Sequence, residues 1–385
     1  MATAATTRAE AEGQSCESIL AVEPVRSKRE LSVFLNMDLS LYADRPLYAP
    51  PFRHDLARRI RKWASSAQLF IARRGSRPVG RIAASIDSVK NRDTKCATGA
   101  FGMFECRDDA AAAGALFQAA EGWLAKRGVR RVLGPYGFTQ EDPYVGFLAE
   151  GFDLPPTFGT TYSLEYYPRM VEEAEYRPVM DLLSYAIDSN KLPEPIAEKA
   201  IPVKQRPEVT VRPIEMKRVW DEARLIKNIF NGSLNENWEF VPFTDAQVKG
   251  MVQELRLVAD PRVVLFVEVR GEAAGCVINI PCYNDVLRAC RGRLFPTGLL
   301  RLLLAKGNRS RLRPYALGVL PRYRREGLAG LLIYETFIRG AEAGYTTGEV
   351  TWVLENNTAM NDLAAQFARP ERKVHKIYEK YLAGE

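Results

Sequence analysis

Tyr315-Ala316-Leu317-Gly318-Val319-Leu320-Pro321-Arg322-Tyr323-Arg324-Arg325-Glu326-Gly327-Leu328-Ala329-Gly330-Leu331-Leu332 is the stretch on which the reading of this chain turns. Its first six residues form an apolar run of strand character. A short basic turn follows, and then Leu328, Leu331, Leu332, Glu335 and Ile338 recur at helical spacing with a mostly apolar face. The turn carries the pattern Arg324-x-x-Gly327-x-Ala329. Glycine and alanine let an anion approach the main chain, where the exposed N–H groups at a helix start meet it with the help of the helix dipole. Arg322, Arg324 and Arg325 add positive charge at the same mouth. The pattern alone is common; its strand–turn–helix setting gives it weight. It predicts a phosphate-gripping loop, with a plain glycine turn as the alternative.

Working outward, the chain divides into two halves that resemble each other. Leu69–Gly75 and Pro78–Ala83 read as two alternating strands around a glycine turn. About 195 residues later Leu265–Gly271 and Ala274–Ile278 do the same. Arg177–Ala186 and Lys373–Leu382 are both β-rich tails that end in tyrosines. Between these marks each half shows strand, amphipathic helix, strand: Thr98–Phe104, Asp109–Lys126 and Val129–Leu133, then Pro314–Leu320, Leu328–Ala343 and Glu349–Leu354. Residues 1–20 are rich in Ala, Thr and Glu and read as a disordered tail. Asp188–Pro207, with four prolines, reads as a linker.

With 385 residues and 26% charged side chains the composition is that of a globular protein, which sets aside collagen-like and wholly disordered readings. No uncharged run exceeds 12 residues, so no bilayer span is expected, and the start lacks the apolar core of a signal peptide. Six cysteines without a CxxC pair, beside only His54 and His375, argue against a metal site and fit reduced thiols in a cytoplasmic protein. The net charge of +7 is local. Between Asp285 and Arg313 stand eight basic residues and one acid, around the apolar Leu294–Ala305. Such a strip fits a segment lying on an anionic membrane interface; a core-packed helix with snorkelling arginines is the alternative. Nucleic acid fits less well, because aromatic interleaving is missing.

The loop resembles the pyrophosphate loop of the GNAT acyltransferases, which grip the diphosphate of acyl-coenzyme A. The strand Glu349–Leu354, then Glu355-Asn356-Asn357-Thr358-Ala359-Met360-Asn361, a helix and the terminal tail continue the likeness. Because it covers both halves, the resemblance implies an α/β tandem GNAT fold with mixed sheets and two similar domains. The expected division is a tail at 1–20, a degenerate domain at 21–190, a linker at 191–207, and an acyl-CoA-binding domain at 208–385 with an insertion at 285–313. In the first half Gly102-Met103-Phe104-Glu105-Cys106-Arg107-Asp108-Asp109 stands where the loop would be and would repel a diphosphate.

A closer resemblance rests on the strings VGRIAA, FGMFEC, GFDLPP, RLFPTGLL, LGVLPRYRREG and WVLENNTAMN, which begin at Val79, Phe101, Gly151, Arg293, Leu317 and Trp352. They are similar to those of the GNAT-type bacterial ceramide synthases, which N-acylate a sphingoid base with long-chain acyl-CoA. That resemblance implies long-chain acyl-CoA as co-substrate, a long-chain amine as acceptor, no metal, and a cytoplasmic protein touching the inner membrane through 285–313. Leu317 and Val319 would face the thioester and coenzyme arm, Arg324, Arg325, Gly327, Leu328 and Ala329 the diphosphate, and Asn357 the coenzyme arm. The base that deprotonates the amine is sought first at Glu355, then at Glu349, then at Glu165, Glu105 or His375. Many relatives place a thiolate-protonating tyrosine seven residues after the motif asparagine; here that position is Ala364. Tyr378, Tyr381 or water would substitute. Tyr162, Tyr166 and Tyr167 with Pro155-Pro156 are expected either to line a lipid pocket or to pack the core. A soluble amine acceptor, or a non-catalytic acyl-CoA sensor, are the competing functions.

Overall fold

The computed structural model describes residues 19–94, 97–138, 144–293, 300 and 310–382. The first half contributes β1 (Leu20–Pro24), α1 (Lys28–Leu41), α2 (Arg53–Lys62), β2 (Ala67–Arg74), β3 (Arg77–Ser85), α3 (Ser88–Thr94), β4 (Thr98–Cys106), α4 (Ala110–Ala125), β5 (Arg131–Gly134), β6 (Phe147–Glu150), α5 (Tyr167–Glu173) and β7 (Arg177–Ile187). After α6 (Glu194–Lys204) come β8 (Val209–Pro213), α7 (Val219–Ser233), α8 (Asp245–Val258), β9 (Val264–Val269), β10 (Glu272–Pro281), α9 (Asn284–Cys290), β11 (Arg311–Val319), α10 (Leu328–Glu342), β12 (Thr347–Leu354), α11 (Thr358–Ala365) and β13 (Ala368–Tyr381).

The strands form one mixed sheet in the order β1-β2-β3-β4-β5-β13-β7-β12-β11-β10-β9-β8, with β6 also on β13. Both hairpins expected from the sequence are present, as β2–β3 and β9–β10. The two β-rich tails do something the sequence pattern does not specify: they are exchanged. β7 of the first half pairs antiparallel with β12 of the second, from Gly348↔Ile187 to Leu354↔Leu182. β13 of the second half pairs with β5 and β6 of the first, with Tyr378 opposite Gly134. β7 and β13 then pair with each other along most of their length, from Ala368↔Ile187 to Glu379↔Arg177.

Helices cover both faces, so the strands carry apolar residues on both sides. Leu265 and Val267 of β9 face Leu328, Leu331 and Leu332 of α10, while Val264 and Phe266 face Ile226, Ile229 and Phe230 of α7. In the first half Phe101, Phe104 and Ile82 pack under Leu116 and Phe117 of α4, and Ile71 and Ala83 pack under α1 and α2. The expected linker at 191–207 is largely α6. Its prolines sit at the N-cap (Pro193), at the N-terminal end (Pro195) and in the last turn (Pro202), while Ile196, Ala200 and Val203 make one buried face. That apolar periodicity outweighs the proline count, and α6 docks beside α10 through Ala200 and Val203.

The exchange predicts that neither half folds alone. Segments cut between β7 and α6 are expected to be largely unfolded apart and to regain one cooperative transition when mixed; two independent melting transitions would contradict it.

Candidate active site

β11 and β12 run parallel but pair only at Arg311↔Thr347 and Leu312↔Gly348. Beyond that point β12 follows β7 and β11 follows β10, leaving a wedge whose β11 edge, from Arg313 to Val319, has no strand partner on that side. A bulge at Tyr315 sits within this edge, where the register passes from Ile278↔Ala316 to Asn279↔Pro314. The buried Arg313 bridges the closed end. Its Nη1 donates to the Phe158 carbonyl at 2.6 Å, its Nε and Nη2 donate to the Thr351 carbonyl across the wedge at 3.3 Å, and its guanidinium lies over Tyr315 and Trp352. Burial holds this arginine below its ordinary pKa.

The open end leads to the basic turn. Arg325 and Gly327 both take positive φ (71° and 80°), and Gly327 is the N-cap of α10. A glycine cap has no side chain to accept from the first-turn amides, so those donors remain available to an anion. A Cβ on Gly327 would stand 2.8 Å from Val203 Cγ2 of α6, so space as well as backbone selects glycine there. Arg322 pairs with Glu272 at 2.9 Å, and Arg324 pairs with Glu236 at 3.2 Å. Arg325 is exposed, with no ion-pair partner among the described residues. Leu317 and Val319 lie on the strand that leads into the turn carrying Arg324, Arg325 and Gly327, with Ala329 in the first turn of α10 and Leu328 buried beneath the loop. Asn357 lies across the wedge, where it caps α11 by accepting from the Met360 N–H at 3.2 Å.

The first half builds the same divergence and closes it. β4 and β5 pair in parallel over three residues, Thr98–Ala100 against Arg131–Leu133. The chain after β5 then folds back: the Tyr136 N–H donates to the Phe101 carbonyl at 2.8 Å, and a Cβ on Gly102 would lie 2.0 Å from the Tyr136 oxygen. The helix end is closed as well. Asp109 caps α4 by accepting from the Ala112 N–H, and Arg74 holds the same carboxylate below the usual range.

The acid–base candidates fall in different places. Glu355 is exposed at the end of β12, where its Oε1 accepts from the Asp181 N–H at 3.0 Å. Glu349 is committed elsewhere: it sits buried beside the closed end, paired with Lys373 at 2.6 Å. Glu165 pairs with Arg45 at the surface. Glu105 is half-buried in the first half and accepts from the Tyr42 and Tyr167 hydroxyls, with desolvation pushing its carboxyl up to about 7. Tyr378 packs in the first-half core against Phe147, and burial raises its pKa. β13 crosses into the first half, which carries Tyr378 away from the basic turn; Tyr381 lies exposed on the same stretch. Ala364 is fully buried. The tyrosine cluster is core: Tyr167 packs on Phe104, and Tyr162 packs near Tyr42 and Tyr48.

Sequence reading counted Arg313 with the basic insertion 285–313 and passed over Lys373; the structure buries Arg313 within β11. Lys373 donates to the Pro155 carbonyl, Asn284 to the Pro156 carbonyl and His375 to the Thr161 carbonyl. With Arg313 on Phe158, these side chains hold the first-half segment 155–161 over the strands of the second half. A charge set inside an otherwise buried strand, as in Leu312-Arg313-Pro314 or Lys373-Val374-His375, is the available signal.

Helices flanking a mixed sheet, two equivalent parallel divergences and a glycine-capped basic turn at one of them make up the tandem GNAT fold. Among solved structures the chain superposes on the tandem GNAT protein from the clavulanic acid biosynthesis pathway, with a TM-score of 0.60 at 13% identity, over 95% of this chain and 100% of that one. It is 33% identical to the bacterial ceramide synthase of Caulobacter vibrioides over 383 residues, 96% of this chain and 99% of the other. It is 30% identical to protein YghO of Escherichia coli over 370 residues, covering 92% and 94%. No family model matches the sequence. The chain belongs to the family of these two proteins, and it is an acyltransferase.

His375 gives a pH prediction. Burial lowers its folded pKa to about 4 from an ordinary 6.5, so the unfolded chain takes the proton first and stability falls as pH drops from 6.5 through 4. The full loss is about 3 kcal/mol. Denaturant titrations of wild type and His375→Gln at pH 4.5 and 7 are expected to show this acid limb in the wild type and a flatter one in the variant.

Proposed function

We propose that the enzyme transfers a long-chain acyl group from acyl-CoA to the amine of a sphingoid base, 3-ketosphinganine or sphinganine, to make a ceramide precursor. The observation that carries this reading is the wedge and its surroundings. One end offers main-chain amides and Arg325 to a diphosphate, and apolar Tyr136, Val179, Trp238, Trp352 and Leu354 gather on Leu182 and Ile377 of the central strand pair. An apolar cluster on the strands that border β12, with Trp352 and Leu354 of β12 among its members, suits chains that a small soluble amine lacks. The name of the Caulobacter relative supports the same substrate class. So does the basic–apolar insertion, which is proposed to meet an anionic membrane surface through its exposed part and not through the buried Arg313; its residues 294–299 and 301–309 lie outside the described residues. Among the described residues no helix is long and apolar enough to cross a membrane.

In the proposed chemistry the neutral amine attacks the thioester carbon. The carbonyl oxygen becomes an oxyanion held by a main-chain N–H of the unpaired Leu317–Val319 edge, and the C–S bond then breaks to release coenzyme A thiolate. Arg324, Arg325, Gly327, Leu328 and Ala329 hold the diphosphate, and Asn357 approaches the coenzyme arm from β12. Glu355, at the open end of the wedge, takes the amine proton. The thiolate, with an ordinary pKa of about 8.5, is a tolerable leaving group unaided.

Purified protein mixed with palmitoyl-CoA and either base is expected to release free thiol and form N-acyl product by mass. Gly327→Glu is expected to abolish both, and Arg325→Glu, which leaves the Val203 contact alone, to raise KM for acyl-CoA about 10-fold through one lost charge-assisted contact. Acyl-CoA binding without thiol release to any amine would favour the sensor reading, and turnover only with small soluble amines would remove the sphingoid assignment. Glu355→Gln is expected to lower kcat about 100-fold with KM for acyl-CoA unchanged; an unchanged kcat would remove Glu355 as base.

A further inference from the structure

We propose that α2 of the first half, together with Arg291 and Arg293 of the second, forms a composite docking surface for an anionic lipid bilayer. The inference deepens the lipid reading above and rests on it for its purpose; Arg291 and Arg293 belong to the insertion already proposed to meet a membrane, and α2 is the new part of the surface.

α2 reads RHDLARRIRK and carries five basic residues against one acid, Asp55. Leu56, Ala57 and Ile60 turn into the core beneath β2 and β3, so the helix has one committed face. Opposite it, His54, Arg58, Arg61 and Lys62 are exposed. At helical spacing they form a single stripe. Asp55 is bound to Arg58 and Arg59. Arg61 shows no ion pair among the described residues, and Lys62 lies over the half-buried Trp63 ring at the helix end. Cations beside an amphipathic aromatic ring are what a headgroup layer accommodates.

The position of this helix gives the stripe its meaning. Gly292 seats against its start: the Arg53 N–H donates to the Gly292 carbonyl at 3.0 Å, and a Cβ on Gly292 would lie 3.0 Å from the Pro51 carbonyl. Gly292 has a φ of 71°, so conformation and space both reserve the position for glycine. Its neighbours Arg291 and Arg293 are exposed. The second half thus places two arginines at the N-terminal end of a first-half helix that is itself basic. Arg58, Arg61 and Lys62 follow within about 14 Å along the helix axis. The surface faces a polyanion with cations drawn from two distant parts of the sequence, on an element that packs its apolar side inward. A bilayer is the occupant because the charge is a shallow exposed stripe ending at the single ring of Trp63, where a bound strand of bases would call for a groove with several stacking rings.

The test is flotation of the full chain with phosphatidylglycerol–phosphatidylcholine vesicles and with pure phosphatidylcholine vesicles, over a salt series. Wild type is expected to float with the anionic vesicles and to detach as salt rises. Arg61→Gln/Lys62→Gln and, separately, Arg291→Gln/Arg293→Gln are each expected to weaken partitioning about 25-fold, at about five-fold for each basic residue. Acyl transfer measured with detergent-dispersed substrates should be unchanged in both, because neither pair touches the wedge. Wild-type flotation that the α2 pair leaves unaltered would overturn the proposal, as would equal binding to neutral vesicles or displacement by an RNA oligonucleotide at concentrations far below those of lipid. Loss of flotation in the variants would uphold the surface even if the acyl-transfer assay failed with every sphingoid base.

Discussion

The antiparallel pairing of β7 with β13 is the contact on which the rest of this molecule depends. Each is the terminal strand of one half lodged against the other half's parallel pair. β12 follows β7 from Gly348 to Leu354 while β11 follows β10, and the two strands diverge. The parallel ladder stops after two residues, and a wedge opens that exposes the amide edge leading to Gly327. The same constraint acts on β5, which β13 holds from Gly134 to Arg131. There the following residues return to Phe101 and Gly102 and fill the gap. One architectural device used twice yields one open cleft and one closed one.

Charge placement sharpens the difference between the halves. At α10 the N-cap is a glycine and the surrounding side chains are arginines, so the helix end is left for an outside anion. At α4 the equivalent end holds its own carboxylate, Asp109, neutralised by Arg74. The cations buried between the halves do a different task. Arg313 and Lys373 spend donors on the main-chain carbonyls of residues 155–161, and Lys373 is also neutralised by Glu349. Burying such groups gives little net stability, but mismatched partners would leave charges uncompensated, and this fixes how the first-half segment lies on the second-half strands.

Much of this was legible in the sequence. The hairpins, the helices α4 and α10 and the strands around them follow from period-two and helical patterns, and the basic turn from its glycine and arginines. What was not legible depends on partners far along the chain. Alternation in Arg177–Ala186 and Lys373–Leu382 says that these are strands, but not that each pairs outside its own half. The exchange in turn removed Tyr378 from the site, and the buried Lys373 removed Glu349. Asp188–Pro207 misled because proline frequency was weighed above the spacing of Ile196, Ala200 and Val203, which makes α6 a packed helix that also meets the position of Gly327.

The central claim is that two similar halves provide a single acyl-CoA site, between β11 and β12. Equilibrium dialysis of the full chain against radiolabelled acyl-CoA tests it most directly. The account predicts one equivalent bound per chain, with Asp109→Ala, which clears the capped end of α4, adding no second one because Tyr136 still fills the first-half gap. Two equivalents in the wild type, or a second gained on opening α4 alone, would contradict it.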